Sequence, residues 1–145
     1  MKPVNKIKLT FPSQSANEGF ARTAVAAFLV PLDPTVEELS DIKVAVSEAV
    51  TNCIVHAYPD TIGVVTLTAS YDADRVVHIR VRDTGRGIED VAQAMTPMFS
   101  TLGGERAGLG FAVMESFMDS VTVRSHPGKG TTVTMKKRLT CRTQA

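Results

Sequence analysis

Ser47-Glu48-Ala49-Val50-Thr51-Asn52-Cys53-Ile54-Val55-His56-Ala57-Tyr58 closes a helical pattern in which Leu39, Ile42, Val46, Ala49, Val50 and Cys53 recur every three or four residues. That stripe faces a core. At about 100° per residue, Glu48 and Asn52 fall on the other side of the helix, four residues apart and stacked one turn from each other. Ala45 lies between them and the preceding turn, so an acid and an amide sit beside a small residue that leaves space. Two readings stay open at this point: an exposed polar i, i+4 pair, which is common on helices, or a polar pair facing a ligand.

Working outward, Asp33-Pro34-Thr35 with Glu38 is an N-terminal signal, so the central helix is expected from Val36 to Ala57, with Pro59 ending it. Upstream, Ile7, Leu9 and Phe11 alternate with Lys8 and Thr10 as an edge strand closed by Pro12. Ser15 and Glu18 read as a capping box opening a helix through Phe20, Val25, Phe28 and Leu29 to Pro31, on which Arg22 is most simply a solvated charge. Downstream, Val65 to Tyr71 and Val77 to Arg82 alternate as two strands of a hairpin. A short helix from Glu89 to Met95 and a mobile glycine-containing loop from Thr96 to Ala107 are expected next. Helical spacing resumes at Gly110 to Met118 through Phe111, Val113, Met114 and Phe117. Strands at Val121 and Val123 and at Val133 and Met135 flank the Pro127-Gly128-Lys129-Gly130 turn.

The chain of 145 residues, 43% hydrophobic and 21% charged, reads as a single domain over 1–145, able to bury a core without metal or disulfide. A net charge of +1 gives no electrostatic case for direct nucleic-acid binding or for an anionic membrane, so partners are expected to be chosen by shape. Cys53 and Cys141 have no metal-ligand spacing and read as reduced thiols. His78 reads as an outward strand residue, with no second His or Cys placed to make a metal site. The first six residues hold no apolar stretch of a leader, and the longest apolar run, Ala24 to Val30, is too short to span a bilayer. A soluble, cytoplasmic protein is expected.

Three further stretches carry chemistry. Strand Val76 to Arg82 runs into Asp83-Thr84-Gly85-Arg86-Gly87, a carboxylate followed by two glycines, which reads either as a strand-end turn or as a place where the backbone approaches a nucleotide. Gly108-Leu109-Gly110 stands at the expected start of a helix, as a cap or as a phosphate-binding N-terminus. Gly130-Thr131-Thr132 places hydroxyls at the start of the last strand. Each is ambiguous alone; their order is not.

An acid-and-amide helix, then Asp-x-Gly-x-Gly, then a glycine segment opening a helix, then Gly-Thr-Thr entering a strand resembles the GHKL family of ATPases and kinases over nearly the whole chain. Asn17-Glu18-Gly19-Phe20-Ala21-Arg22, Val46 to Asn52, Glu105 to Phe111 and Met114 to Asp119 narrow the resemblance to the small serine kinases that act as anti-sigma factors, the sporulation kind above all. The resemblance implies a two-layer α/β sandwich of the Bergerat type, with a mixed, mostly antiparallel sheet and three helices on one face. It implies Glu48 as general base, Asn52 as the ligand of the Mg2+ on ATP, and Asp83, Gly85, Gly87 and Thr132 around the adenine. Gly108 and Gly110 would belong to the ATP lid, Arg106 would reach the terminal phosphate, and Arg22 would engage protein partners. The activity implied is that of a protein serine/threonine kinase and anti-sigma factor. It would bind a sporulation sigma factor, phosphorylate that factor's anti-anti-sigma antagonist on serine, and form a homodimer. The chain is too short for a phosphoaccepting helical hairpin or a transducer domain beside this fold, so the acceptor is expected to be another molecule. The alternatives are an ATP-gated sigma-binding module, a general-stress type of anti-sigma kinase, and a slow ATPase with water as acceptor.

Overall fold

The computed structural model describes residues 2–88, 90, 91, 95 and 105–140, the side chains of 105–109 excepted. The alternating stretches form β1 (Asn5–Pro12), β2 (Val64–Tyr71), β3 (Val76–Asp83), β4 (Ser120–His126) and β5 (Gly130–Arg138). They make one sheet in the order β1-β2-β3-β5-β4. The expectation of a mixed sheet is corrected, because every adjacent pair among the described strands is antiparallel. β3 and β4 run in the same direction, as strands on either side of a helical crossover should, but β5 is inserted between them.

Register assigns each face. Leu9, Leu67, Val81, Val133 and Val123 align across the five strands, and Ile7, Ala69, Ile79, Met135 and Val121 form the next row. These rows lie under the helices and supply much of the core. The opposite face alternates to hydroxyls and cations, with Lys8, Thr68, Arg80, Thr134 and Thr122 in one row, which suits a side left to water.

α1 (Ala16–Leu29) buries Ala21, Val25 and Leu29, spaced four apart. α2 (Val36–Asn52) buries Ile42, Ala45, Val46, Ala49 and Val50 and packs between α1 and α3 (Glu105–Phe117), which contributes Phe111 and Met114. The start of α2 is a complete capping box: Glu38 N–H donates to Thr35 Oγ1 at 3.0 Å, and Thr35 N–H donates to Glu38 Oε1 at 2.9 Å. Glu38 Oε2 also accepts the Thr140 N–H at 2.7 Å, which ties the chain just past β5 to the beginning of α2.

Three expectations about helices are corrected. Ser15 makes no side-chain cap: its own backbone is already helical, the Glu18 N–H donates to its carbonyl at 3.2 Å, and the Glu18 carboxylate turns to Arg22 and Ser47. The α-helical part of the central helix ends at Asn52, and Cys53–Ala57 continues as a π-turn in which Tyr58 N–H donates to Cys53 O at 3.3 Å. α3 begins at Glu105, so Gly108 and Gly110 lie inside it and not at its entrance. The helix expected over Glu89 to Met95 and the loop expected from Thr96 fall largely outside the described residues. Among the described residues no helix is long and apolar enough to cross a membrane.

Candidate functional site

The inner face of the sheet changes character in its last row, where Phe11 and Val65 give way to Asp83, Thr131 and Ser125. Asp83 is 6% exposed. Its Oδ1 accepts the Gly85 N–H at 2.9 Å and the Thr131 N–H at 3.2 Å, while the Cys53 thiol lies 3.5 Å from Oδ2 as donor. Burial pushes the Asp83 carboxyl above the usual carboxylate range, against the opposing pull of these three donors. Burial first, and the neighbouring carboxylate second, push the Cys53 thiol well up, so it stays protonated and able to donate. The second lone pair of Oδ2 has no donor among the described hydrogen bonds, which leaves an acceptor for an amino group.

The turn after Asp83 is built tightly. A Cβ at Gly85 would run into the Ala57 backbone, whose carbonyl accepts the Arg86 N–H at 3.2 Å. Gly87 has φ +76° and passes against the His126 carbonyl, so it needs both the left-handed backbone and the missing side chain. The glycines are thus demanded by protein-to-protein packing before any ligand is considered. Tyr58 braces the same turn: its hydroxyl accepts the Thr84 N–H at 2.7 Å and donates to Val64 O at 2.9 Å.

On α2, Glu48 and Asn52 face α3 across Gly110. A Cβ on Gly110 would lie 3.2 Å from Asn52 Oδ1 and 3.3 Å from Asn52 Nδ2, tight enough to press on that amide, and 3.5 Å from Glu48 Oε1, an ordinary contact. Asn52 Nδ2 is buried and has no hydrogen-bond partner among the described residues. A buried amide donor left unmet costs about 1–3 kcal/mol, so this one calls for a partner beyond the described residues, a ligand or an ordered water. The donor set fits magnesium: a neutral amide oxygen suits a hard cation that keeps its waters and takes its remaining ligands from phosphates. Among the described residues no group of three or more His, Cys, Asp or Glu is placed to hold a metal by itself.

Of the residues singled out in the sequence, Asp83, Gly85 and Gly87 gather at the end of β3, and Glu48, Asn52 and Gly110 gather between α2 and α3. Thr132 does not join them. It pairs with Arg82 and Arg124 on the outward face, and Thr131, one residue earlier, stands on the Asp83 side. Thr131 donates its N–H to Asp83, and its hydroxyl lies 2.8 Å from Ser125 Oγ. The alternation of Val133 and Met135 as core residues carried this parity. Gly108 and Arg106 lie in the first turn and a half of α3, with the Arg106 side chain outside the described residues. Arg22 is not simply solvated: its Nη1 donates to Glu18 Oε2 at 2.7 Å, which also accepts the Ser47 hydroxyl at 3.0 Å. Cys53 and the Glu18–Ser47 link had no signal in sequence spacing, since both depend on contacts between separate elements.

Residues 11–137 match the model of the histidine kinase-like ATPase domain family. The chain is 58% identical over 136 residues to the anti-sigma F factor of Caldanaerobacter subterraneus subsp. tengcongensis, a match covering 93% of this chain and 94% of that one. It is 55% identical over 140 residues to the anti-sigma F factor of a Thermoanaerobacter species, covering 96% and 97%. Among solved structures, the RsbU and RsbW domains of a Mycobacterium tuberculosis protein superpose with a TM-score of 0.69 at 22% identity, over 94% of this chain and 33% of that one, a likeness of fold.

Proposed function

The chain belongs to the histidine kinase-like ATPase domain family, in its group of anti-sigma F factors, and we propose that it is a protein serine kinase that also sequesters a sporulation sigma factor. Its phosphoryl acceptor in this reading is a serine of the anti-anti-sigma antagonist, and ATP is the donor. The observation that carries the reading is the buried Asn52 Nδ2, with no hydrogen-bond partner among the described residues, one helical turn from Glu48 and both beside Gly110. An amide and an acid so arranged suit phosphoryl transfer, which asks the protein for positioning and charge more than for covalent chemistry.

Asp83 Oδ2 would accept the purine amino group, with Thr131 beside it and Gly85 and Gly87 keeping the wall thin. Asn52 Oδ1 would hold magnesium, which supplies charge neutralisation on the triphosphate when bound. Asn52 Nδ2 would donate to a phosphate oxygen, and Arg106 would meet the terminal phosphate. The acceptor serine oxygen bonds to the γ-phosphorus, the bond from that phosphorus to the β–γ bridging oxygen breaks, and ADP leaves. The serine proton passes to the Glu48 carboxylate. Cytoplasmic location and a homodimer belong to the same proposal.

Incubation with γ-labelled ATP and the antagonist is the test. Label on serine of the antagonist is expected, and the Glu48→Gln protein is expected to lose transfer by at least a hundredfold while its ATP affinity stays near that of the native chain. Phosphate release without a partner would favour water as acceptor instead. Transfer unaffected by Glu48→Gln would remove the base assignment.

A further inference from the structure

The segment that follows Asn52 is bound to the end of β3 at three points. Cys53 Sγ donates to Asp83 Oδ2 at 3.5 Å, the Tyr58 hydroxyl accepts the Thr84 N–H at 2.7 Å, and the Ala57 carbonyl accepts the Arg86 N–H at 3.2 Å. Residues 53–58 thus hold three of the four residues 83–86, and the missing side chain of the fourth, Gly85, lets the Ala57 backbone lie against it. Most of the segment is the π-turn, a departure from α geometry that is frequent at functional sites. Two of the three contacts brace backbone. The Cys53 contact differs, because it falls on the carboxylate itself and on one particular oxygen. Oδ1 takes the N–H groups of Gly85 and Thr131, whereas Oδ2 takes only the thiol among the described hydrogen bonds and keeps a second lone pair. Both side chains are buried, so the arrangement is not one that bulk water trades for another.

We propose that Cys53 is a positioning residue for the purine: its thiol occupies one lone pair of Asp83 Oδ2 and fixes the plane of the carboxylate, so that the remaining lone pair is aimed at the amino group of the base. The inference rests on the reading above in which Asp83 accepts that amino group. The last torsion of an aspartate side chain is broad, and donors on one oxygen alone leave the other free to swing. A third donor on Oδ2 removes that freedom. A thiol is also a weak donor, so Oδ2 keeps most of its charge for the base, where a stronger donor would draw on it. Asn52 and Cys53 are consecutive, so one peptide unit joins the amide that faces Gly110 to the thiol that orients the purine acceptor. The seat for the base and the seat for the phosphates are therefore set by the same end of α2. Cys53 also belongs to the core, and a role in packing alone would affect every nucleotide alike.

The test is calorimetric titration of the native chain, Cys53→Ala and Cys53→Ser, with magnesium present, against ATP and against purine riboside triphosphate, which lacks the amino group. The native chain is expected to prefer ATP. Cys53→Ala is expected to weaken ATP binding by about fivefold or more and to leave purine riboside triphosphate within about twofold, since only the amino group uses the aimed lone pair. Binding of the second nucleotide also reports that the variant is folded. Cys53→Ser keeps a donor and is expected to restore most of the lost preference. In an Asp83→Asn chain, Cys53→Ala is expected to have no further effect on the preference, because the two side chains act as one unit. Equal losses for the two nucleotides, an unchanged ATP affinity in Cys53→Ala, or a loss of full size in the Asp83→Asn chain would each make Cys53 a packing residue and overturn the proposal. If the native chain binds both nucleotides equally well, Asp83 does not read the amino group, and that reading fails with the proposal built on it.

Discussion

Asp83 concentrates the tension between stability and ligand binding. A carboxylate 6% exposed, with its ordinary value of 3.8 pushed upward by burial, is carried in the folded chain at a cost. Because its folded pKa is raised, its favourable contribution to folding is complete below 3.8 and is lost as pH rises through the folded value. At neutral pH it is a strained choice that a purine amino group would repay. Asp83→Asn is therefore expected to keep or raise the melting temperature of the ligand-free chain at pH 7 and to weaken ATP binding by about 1–3 kcal/mol, because an amide presents a donor where the purine amino group needs an acceptor. Thermal denaturation and titration calorimetry on the same preparation check it; a lowered melting point with native affinity would overturn it. At this scale, Glu48 and Asn52 stood out because periodicity sets an acid and an amide opposite the apolar stripe, and Asp83 because two glycines follow it, while the roles given to all three came from the family resemblance. Thr131 was missed in favour of Thr132 by one step of parity, and on a strand one step exchanges the core face for the outward one.

Among elements, the two capping boxes separate what local pattern settles from what it does not. Thr35-x-x-Glu38 and Ser15-x-x-Glu18 are the same signal, yet only the first is made. Glu38 makes no ion pair among the described residues, and its second oxygen is occupied by Thr140 N–H. Glu18 is instead recruited by Arg22 and by Ser47 from a different helix, an interaction with a sequence separation of 29 that no local rule contains. Thr35→Ala is expected to cost about 1 kcal/mol in urea unfolding, whereas Ser15→Ala should stay within about 0.5 kcal/mol of the native chain. Equal losses would show that Ser15 caps α1 in solution. The end of α2 follows the same logic. An unbroken helix to Ala57 suits the apolar period, but the π-turn from Cys53 buries the Cys53 thiol against Asp83 and hands the Ala57 carbonyl to Arg86, contacts made with β3 and the turn after it. Strands and hairpins were legible from alternation and turn residues, while the insertion of β5 between β3 and β4 depends on pairing across some fifty residues.

For the whole molecule, the nucleotide space and the helices that would face a partner are mechanically continuous. α2 is packed by α1 on one side and by α3 on the other, and its Asn52 side chain lies directly under Gly110 of α3. A phosphate group that satisfied Asn52 Nδ2 would sit where α3 meets α2, so the number of phosphates present should alter how that interface closes. α2 also carries the link through Ser47 to Glu18 and Arg22, which connects the same helix to the surface of α1. A partner that reads Arg22 and the start of α3 together would then distinguish the triphosphate from the diphosphate by the state it finds. The sigma factor is accordingly expected to bind at least tenfold more tightly with ATP than with ADP, a coupling of about 1.4 kcal/mol or more. Linkage makes the prediction two-sided: the sigma factor must raise the affinity for ATP over ADP by the same factor, because the coupling belongs to the cycle and not to either ligand. Calorimetric titration of the sigma factor into the chain with each nucleotide, followed by titration of each nucleotide with and without the sigma factor, measures all four sides. Equal sigma affinities with ATP and ADP would mean that the α2–α3 interface does not transmit the terminal phosphate, and that sequestration and phosphoryl transfer are independent uses of one surface.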